Sequence, residues 1–334
     1  MNKTWVALAF LACLLSSSCN RQDRNQSPRA APLRIAIDQF VGFAPSYVAV
    51  EQKFFEKRGI KVEPLPILDT AQRTSAFASG RVEAICTTLD SLLLAAAKGV
   101  DLVVVAAVDE SRGADGILVS PSIRKPADLK GRTVGFQEAM PSQFLLLWYL
   151  MHNGLKPDDV RRVNMNADDA GAAFIAGKVD AAVTWEPWLS RAKEGGKGRL
   201  LVSTADLPGV LVDVLAVRRD LFTNRRDAVQ ALYGGWMDAI AFYQKSRDAA
   251  LPIMSRNLKL PEDEVRRNAA GLRFADRAYN RDFFSRQAEN SAWTLAKKAD
   301  EMWQAAGLMA KGQDSSRFIS DEIVHADEKN PAGK

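Results

Sequence analysis

"FASGRVEAICTTLDSLLLAAAKG" (residues 77–99) and "FIAGKVDAAVTWEPWLSRAKEGG" (residues 174–196) are two copies of one pattern, and together they decide the fold. Aligned at a constant offset of 97, they are identical at 8 of 23 positions. Each copy is typical of a helix closed by a glycine and followed by a buried strand. A pattern that occurs twice predicts two similar halves within one chain.

A second, gapped match lies upstream of each copy. "PSYVAVEQKFFEKRGIK" begins at Pro45, and "PSQFLLLWYLMHNGLK" begins at Pro141. A proline at the start and a glycine at the end are typical of a helix. The β-branched runs "LRIAI" and "RTVGF" precede these helices and predict strands. The order strand–helix–strand–helix–strand therefore occurs twice. This predicts an α/β fold with two lobes, each a mainly parallel sheet flanked by helices.

The domain boundaries follow from the two copies. "VDVLAVRRDLF", from Val212, is predicted to be a strand that returns to the first lobe and leads into a helical tail. Two crossing segments, near Gly116–Pro121 and Ser203–Asp213, would then act as hinges beside a cleft. The predicted parts are a signal peptide (1–18), a lipoprotein tether (19–32), a first lobe (33–116 plus 212–326), a second lobe (117–211) and a disordered tail (327–334).

The start of the chain is typical of an export signal. "MNK" is positively charged, "WVALAFLACLL" is an apolar run too short to span a bilayer, and "SSSC" places small residues before Cys19. A cysteine after small residues predicts lipidation of Cys19. Ser16 departs from the usual lipoprotein pattern, so plain secretion is the alternative. The polar segment after Cys19 suits a tether.

Composition limits the classes of function. Hydrophobic residues at 47% and charged residues at 25% are typical of a soluble globular protein, and no later apolar run is long enough for a transmembrane helix. The 45 basic and 40 acidic residues are spread along the chain, which argues against a nucleic-acid partner. Cys86 is the only cysteine in the body of the chain and is interpreted as a buried thiol, so no metal site or cofactor is expected.

The chain has no motif that favours an enzyme. Its two histidines, His152 and His325, do not follow predicted strands. No nucleophile elbow, metal-ligand set or phosphate loop occurs. We therefore expect a binding protein.

Candidate binding residues lie where strands end, because ligands in open α/β sheets bind beyond the carboxyl ends of the strands. The repeat places Thr88 and Trp185 in equivalent positions on the two lobes. The candidate ligand-binding residues are Asp38, Gly42, Phe43, Ser46, Thr88, Asp90, Ser111, Asp115, Gln137, Ser142, Trp185, Glu186 and Asp213.

These candidates offer two kinds of chemistry, each with a plain structural alternative. The helix starts at Ser46 and Ser142 suit an anion, although ordinary helix caps would use the same residues. Acids, with Glu186 and Asp213 as the preferred pair, could surround an amine, although an acid in a first helical turn is favourable by itself. The helix starts and the acids together favour a zwitterion such as taurine over nitrate.

Aromatic residues could provide the walls of the cleft. Trp185 and Phe43 are the candidates, since an aromatic side chain at a strand end can cover a small polar ligand. Trp188 is interpreted as a packing residue. The alternative for Trp185 is the same packing role.

Four segments carry a family resemblance. "AVEQKFFEKRGIKVE", "DLKGRTVGF", "AAFIAGKVDAAVTWEPWLSRA" and "ESRGADGI" resemble the periplasmic solute-binding proteins of ABC importers for aliphatic sulfonates, taurine and nitrate. The same group includes binders of thiamine-pyrimidine precursors. The resemblance runs from Leu33 to about Ala326. It implies the two-lobed type II periplasmic-binding-protein fold with two hinge crossings.

The resemblance also implies a function. Such a protein is expected to be a monomer, in the periplasm or at the cell surface, that closes on a solute and delivers it to a permease and, through it, an ATPase. The lipid anchor would hold it on a membrane. The rival classes are a sensor lobe and an enzyme, because pyrimidine synthases share the fold. Those synthases depend on a histidine and on cysteine-rich motifs. Neither histidine of this chain follows a predicted strand, and its body has a single cysteine.

Overall fold

The computed structural model describes residues 31–329. The predicted signal peptide, the lipidation site Cys19 and residues 330–334 lie outside the described residues. Among the described residues, no helix is long and apolar enough to cross a membrane.

The first sheet has six strands. They are β1 (Leu33–Ile37), β2 (Val62–Pro66), β3 (Ala84–Thr88), β4 (Leu102–Ser111), β10 (Val212–Arg218) and β11 (Leu272–Phe274). Their spatial order is β11–β4–β10–β3–β1–β2. β1 is parallel to β2 and β3, whereas β10 is antiparallel to both β3 and β4. Every residue of β3 and β4 is buried, which explains their nearly continuous apolar sequences, and Cys86 is one of these buried residues.

The second sheet has five strands and the same arrangement. They are β5 (Asp115–Val119), β6 (Thr133–Phe136), β7 (Arg161–Asn164), β8 (Ala181–Trp185) and β9 (Arg199–Ser203). Their order is β7–β6–β8–β5–β9, with β5 antiparallel to β8 and β9. Each sheet thus has four strands in one direction, with an antiparallel strand, β10 or β5, inserted before the fourth. The first sheet has one more antiparallel strand, β11, at its edge beside β4. The predicted pair of similar, mainly parallel sheets is confirmed.

Helices flank both sheets. They are α1 (Pro45–Glu51), α2 (Phe54–Lys57), α3 (Thr70–Ala78), α4 (Leu89–Ala97), α5 (Pro141–His152), α6 (Ala167–Ile175), α7 (Trp188–Glu194), α8 (Arg219–Asn224), α9 (Arg226–Lys245), α10 (Arg247–Leu258), α11 (Glu262–Ala270), α12 (Arg277–Phe283), α13 (Ala292–Ala305) and α14 (Glu322–Lys329). α1 and α5 begin with proline, as predicted. Asp69 caps α3 and Asn166 caps α6, each accepting a backbone hydrogen bond.

Two short segments connect the sheets. They span residues 112–114, between β4 and β5, and residues 204–211, between β9 and β10. The first crossing precedes the predicted position, because Asp115 and Gly116 already belong to β5 and pair with Trp185 and Thr184. Gly113 makes this sharp connection possible, since its φ of 123° is one that other residues rarely adopt.

The helical tail extends further than predicted. The expectation that residues from 327 onward are disordered is wrong as far as Lys329, because α14 ends there. Asp327 is 3% exposed, and its carboxylate pairs with Arg277 at 2.7 Å. A buried ion pair fixes this end of the tail on the first lobe.

Candidate functional site

Strand ends of both sheets meet around one small cavity. The residues that line it are Asp38, Phe40, Phe43, Thr70, Arg73, Thr87, Thr88, Asp115, Pro141, Trp185, Leu211 and Asp213. The cavity volume is about 30 Å³, room for roughly one water molecule. It is narrow because Phe40 of the first lobe and Trp185 of the second approach to 6.4 Å between ring centroids. The lobes therefore stand nearly closed on each other.

Arg73 is the cation of this cleft. It lies on α3, one turn after the Asp69 cap, and its side chain is 2% exposed. Its Nη1 lies 2.9 Å from Asp38 Oδ2 and donates to the Ile67 carbonyl, while Nη2 donates to Thr70 Oγ1. Its Nε has no hydrogen-bond partner. Arg73 therefore lines the cavity and has one unused donor.

Asp38 is the partner of Arg73. Burial raises the pKa of the Asp38 carboxyl, and the guanidinium of Arg73 acts in the opposite direction. The carboxylate also accepts a hydrogen bond from the Phe40 backbone at 2.9 Å. This bond orients the loop that carries Phe40 and Phe43, whose rings meet edge to face at 5.7 Å.

Asp109 and Asp213 form a deeper acidic pair. They are partners in the register of β4 and β10, and they are 0% and 8% exposed. Both carboxylate oxygens of Asp109 lack a hydrogen-bond partner. Burial raises the pKa of each carboxyl. The charge on Asp115 raises the pKa of Asp109 further, and the charge on Asp109 raises that of Asp213. Burial and the neighbouring acids therefore favour the protonated form of both carboxyls.

Gly42 packs directly against Asp109 of this pair. A Cβ at Gly42 would lie 2.1 Å from Asp109 Oδ2, so only glycine fits there. Gly42 is thus a packing residue beneath the cleft and is absent from its lining.

The hinge carries a fourth acid, Asp115. Asp115 accepts a 2.6 Å hydrogen bond from Ser111 Oγ, and that hydroxyl also lies 2.7 Å from Thr204 Oγ1. Ser111 and Thr204 flank the two crossing segments, so one network joins them. Burial raises the pKa of Asp115 to about 6, although the hydrogen bond from Ser111 acts against this shift.

The tryptophans have separate roles. The Trp185 indole donates to Asp168 Oδ1 at 3.0 Å, and the Trp188 indole donates to the same oxygen at 2.7 Å. Trp185 lines the cavity, whereas Trp188 packs on α6, where a Cβ on Gly171 would lie 2.5 Å from it. The role of Trp185 as a wall for a ligand stays a prediction.

Six of the thirteen predicted binding residues line the cavity: Asp38, Phe43, Thr88, Asp115, Trp185 and Asp213. The others have local partners. Ser46 donates its hydroxyl to the Phe43 carbonyl, and Ser142 accepts from the Gln137 backbone. Glu186 caps α7 by accepting from the Ser190 backbone and hydroxyl.

Two further candidates lie beside the cleft. Asp90 lines a different cavity. Gln137 crosses between the lobes and donates to Asp69 Oδ2 at 3.0 Å.

Sequence reasoning missed half of the lining: Phe40, Thr70, Arg73, Thr87, Pro141 and Leu211. Arg73 was missed because it lies inside a helix rather than at a strand end. The available signal was the pair Asp69–Thr70, which is typical of a helix start. Because this start follows β2, the first turn of α3 lies at the strand ends that line the cleft.

Two lobes of equal topology, joined by two crossings around a buried polar cleft, define the periplasmic-binding-protein fold. Residues 41–250 match the family model described as "NMT1/THI5 like". The chain belongs to this family.

Two curated relatives are similar in sequence. A protein of Escherichia coli (strain K12), provisionally named an aliphatic sulfonates-binding protein, is 31% identical over 256 residues, covering 75% of this chain and 78% of the relative. The taurine-binding periplasmic protein of the same strain is 25% identical over 228 residues, covering 67% and 70%.

Solved structures share the fold. The alkanesulfonate-binding protein SsuA from Xanthomonas axonopodis pv. citri, bound to MOPS, has a TM-score of 0.72 at 24% identity and covers 88% of this chain and 100% of its own. The desulfurization enzyme DSZB has a TM-score of 0.64 at 19% identity, covering 89% and 99%. At these identities the likeness shows the fold alone.

Proposed function

We propose that this protein is the lipid-anchored solute-binding component of an ABC importer. It captures a small zwitterionic solute of the aminosulfonate type, such as taurine, in the periplasm or at the cell surface and delivers it to a permease. The curated relatives, which are binding proteins, support this assignment. The observation that carries it is the cleft itself. Arg73, which has one unused donor, lines it together with the acids Asp38, Asp115 and Asp213, at strand ends of both lobes.

The charges of the cleft favour a zwitterion. An anionic sulfonate oxygen matches the free Nε of Arg73, and an ammonium group matches Asp213 with Asp109 behind it. A bare nitrate would meet buried acids with nothing to compensate them, which is unfavourable in a poorly solvated site. A solute that carries both charges satisfies both groups.

A nitrogen base, such as a thiamine-pyrimidine precursor, is the second candidate. The aromatic side chains support it, because Phe40, Phe43 and Trp185 could hold a flat ring while an acid pairs with its protonated nitrogen. Both candidates share a cationic nitrogen, and they differ in whether they need Arg73.

Capture would proceed by closure of the lobes. A solute that touches both lobes binds the closed arrangement better and shifts the population toward it. Direct contacts between the lobes support this step, namely the Gln137–Asp69 hydrogen bond and the ion pair of Arg191 on α7 with Glu264 on α11 at 3.2 Å. The permease would then recognise the closed shape.

The chemistry of the cleft supports binding over catalysis. The groups at the cavity are acids, threonines, aromatics and one arginine, and neither histidine lines it. Incubation with candidate solutes should therefore return them unchanged. Detection of a converted product would instead favour an enzyme on this fold.

The anchor can be tested separately from the ligand. Wild-type protein should fractionate with membranes and incorporate labelled fatty acid. Cys19→Ala should be released into the soluble fraction with an unchanged solute affinity. Soluble wild-type protein would favour plain secretion.

A calorimetric panel tests the ligand class. Taurine and a protonated aminopyrimidine represent the two candidates, and nitrate and ethanesulfonate lack the cationic nitrogen. We expect binding of taurine and no heat from nitrate. Ethanesulfonate binding as tightly as taurine would remove the role of the acids, and a panel in which only the aminopyrimidine binds would favour the second candidate. Mass spectrometry of any co-purifying small molecule gives an independent answer.

A further inference from the structure

A second cavity, here called the rear cavity, lies on the other side of the crossing segment 204–211. Its volume is about 430 Å³, within the ~300–1,000 Å³ range of ligand sites. Most of its walls are apolar, including Leu89, Phe144, Trp148, Val212, Leu295 and Met302. It is much larger than the cleft between the strand ends.

One acid is buried in these apolar walls. Asp90, in the first turn of α4, is 4% exposed and lines the rear cavity. The hydroxyls of Thr88 and Ser91, the latter at 3.5 Å, stabilise its charged form, and no ion pair is found for it among residues 31–329. Burial raises the pKa of Asp90 to about 7. A cation in the cavity would pair with this carboxylate and favour its charged form.

We propose that the rear cavity is a second ligand site, for a small molecule that joins an apolar alkyl or aryl body to a protonated amine. The body fills the space between α5 and α13, and the amine pairs with Asp90. An acid in a first helical turn is favourable without any ligand. That role accounts for the residue type at position 90, but it does not account for a carboxylate buried beside an apolar space of this size.

The rear cavity and the cleft share one segment of chain. Leu211 and Asp213 line the cleft, whereas Val210 and Val212 line the rear cavity. This is the alternation of an extended strand, in which successive side chains point to opposite faces. Similarly, Thr88 lines the cleft, and the next two residues of the chain line the rear cavity.

An occupant of the rear cavity would touch both lobes. Phe144 and Trp148 lie on α5 of the second lobe, and Asp90 lies on α4 of the first. α13 spans the two, because its Trp303 contacts the Phe144 ring at 5.4 Å and donates from its indole to the Asp90 carbonyl. An amine bound there stabilises the arrangement in which the cleft is narrow. This coupling rests on the proposed function, but binding of the amine does not.

The first test measures the site alone. Purified protein without solute is titrated calorimetrically with 2-phenylethylamine, and 2-phenylethanol serves as the matched control without a charge. We expect the amine to bind at least tenfold more tightly than the alcohol, and Asp90→Asn to remove this difference. Equal binding of the two compounds by the wild type, or no binding of the amine, overturns the proposal.

Two variants locate the bound amine. Leu295→Trp and Met151→Trp each place a large side chain at the rear cavity, and Met151 is 38% exposed, so at least the second should keep the fold. Each folded variant, checked by its unfolding midpoint, should lose amine affinity at least tenfold. Trp185→Ala, in the cleft, should change amine affinity far less than either rear-cavity variant. Loss of amine binding in Trp185→Ala alone would place the amine in the cleft and overturn the proposal.

Solution scattering tests the coupling. Saturating 2-phenylethylamine should decrease the radius of gyration, and Leu295→Trp should do so without the amine. An unchanged radius with proven amine binding would reject the coupling while the site stands. Failure of the solute panel leaves all of these measurements interpretable, because none of them uses a solute.

Discussion

The two copies of the repeat have the same order of helix and strand but carry different side chains at the end of the strand. In the first lobe, β3 ends at Thr88, which is 4% exposed and whose hydroxyl lies 2.9 Å from Ser91 Oγ. In the second lobe, β8 ends at Trp185, which is half-buried and faces Phe40 across the cleft. The equivalent strand ends therefore offer a small buried hydroxyl on one side and a large aromatic surface on the other.

The same contrast extends to the charges around the cleft. Arg73, Asp38, Asp109 and Asp213 all lie in the first lobe, and Asp115 at the hinge is the acid that the second lobe adds to the lining. The comparison suggests a division of roles. We expect the first lobe to hold the charged groups of a solute and the second lobe to cover it. The following predictions test that division.

Replacement of Arg73 should have the largest effect. Arg73→Ala leaves the buried Asp38 without its cation, and breaking a buried pair typically costs about 3–5 kcal/mol. We expect this loss in urea unfolding, together with a solute affinity reduced more than 100-fold. Arg73→Lys, which keeps the charge but loses the free Nε, should recover most of the stability and little of the affinity. An Arg73→Ala protein that still binds taurine normally would contradict the role of the first lobe.

Stability should decrease as pH rises. The pKa values of Asp90 and Asp115, about 7 and about 6, are raised above the ordinary value of 3.8, so the folded state holds these protons more tightly. Their contribution is complete below about pH 4 and is lost as pH rises through 6 and 7, by roughly 1.4 kcal/mol per pH unit for each group. Urea unfolding between pH 4 and 8 measures the slope. Asp90→Asn and Asp115→Asn should each flatten it, and an unchanged slope in both would contradict the burial effect.

Loss of Trp185 should weaken binding without unfolding the protein. Trp185→Ala removes the aromatic cover of the second lobe, and we expect roughly a tenfold loss of affinity, about 1.4 kcal/mol. The melting temperature should change little, because the side chain is half-buried and faces the cleft. Trp188→Ala is the matched control, since it should lower the melting temperature and spare affinity. A strongly destabilised Trp185→Ala would indicate a packing role instead.

The contact between Gln137 and Asp69 should contribute modestly to closure. Gln137→Ala removes a hydrogen bond worth about 1 kcal/mol, so affinity should decrease several-fold, mainly through faster solute release. Gln137→Glu should have a larger effect, because it places a second carboxylate against Asp69. Equal affinity of the wild type and both variants would show that this bond plays no part in closure.

The smallest effect should come from Glu186. Its carboxylate caps α7 through Ser190, so Glu186→Gln should lower the free energy of unfolding by less than about 1 kcal/mol. Solute affinity should stay within twofold. A larger loss of affinity would indicate that Glu186 contacts the solute, as the sequence predicted.

Local patterns predicted the fold well, because repeats and strand periodicity are properties of neighbouring residues. They predicted β3, β8 and the return of the chain through β10. They gave no sign that Asp109 is buried, because β4 continues through that acid to Ser111 and burial of a carboxylate depends on the strands beside it. Arg73 was missed for a similar reason, since its salt bridge with Asp38 joins residues that only the folded first sheet brings together.

The insertion of β10 between β3 and β4 has a consequence for the order of folding. All five strands of the second sheet lie within residues 115–203, so the second lobe can fold as soon as this contiguous stretch is available. In the first sheet, β3 and β4 are joined only through β10, which ends at residue 218, and until then both strands expose unpaired edges that favour aggregation. A chain truncated at residue 211 should therefore contain a folded second lobe and an incompletely folded first lobe that makes the chain prone to aggregation.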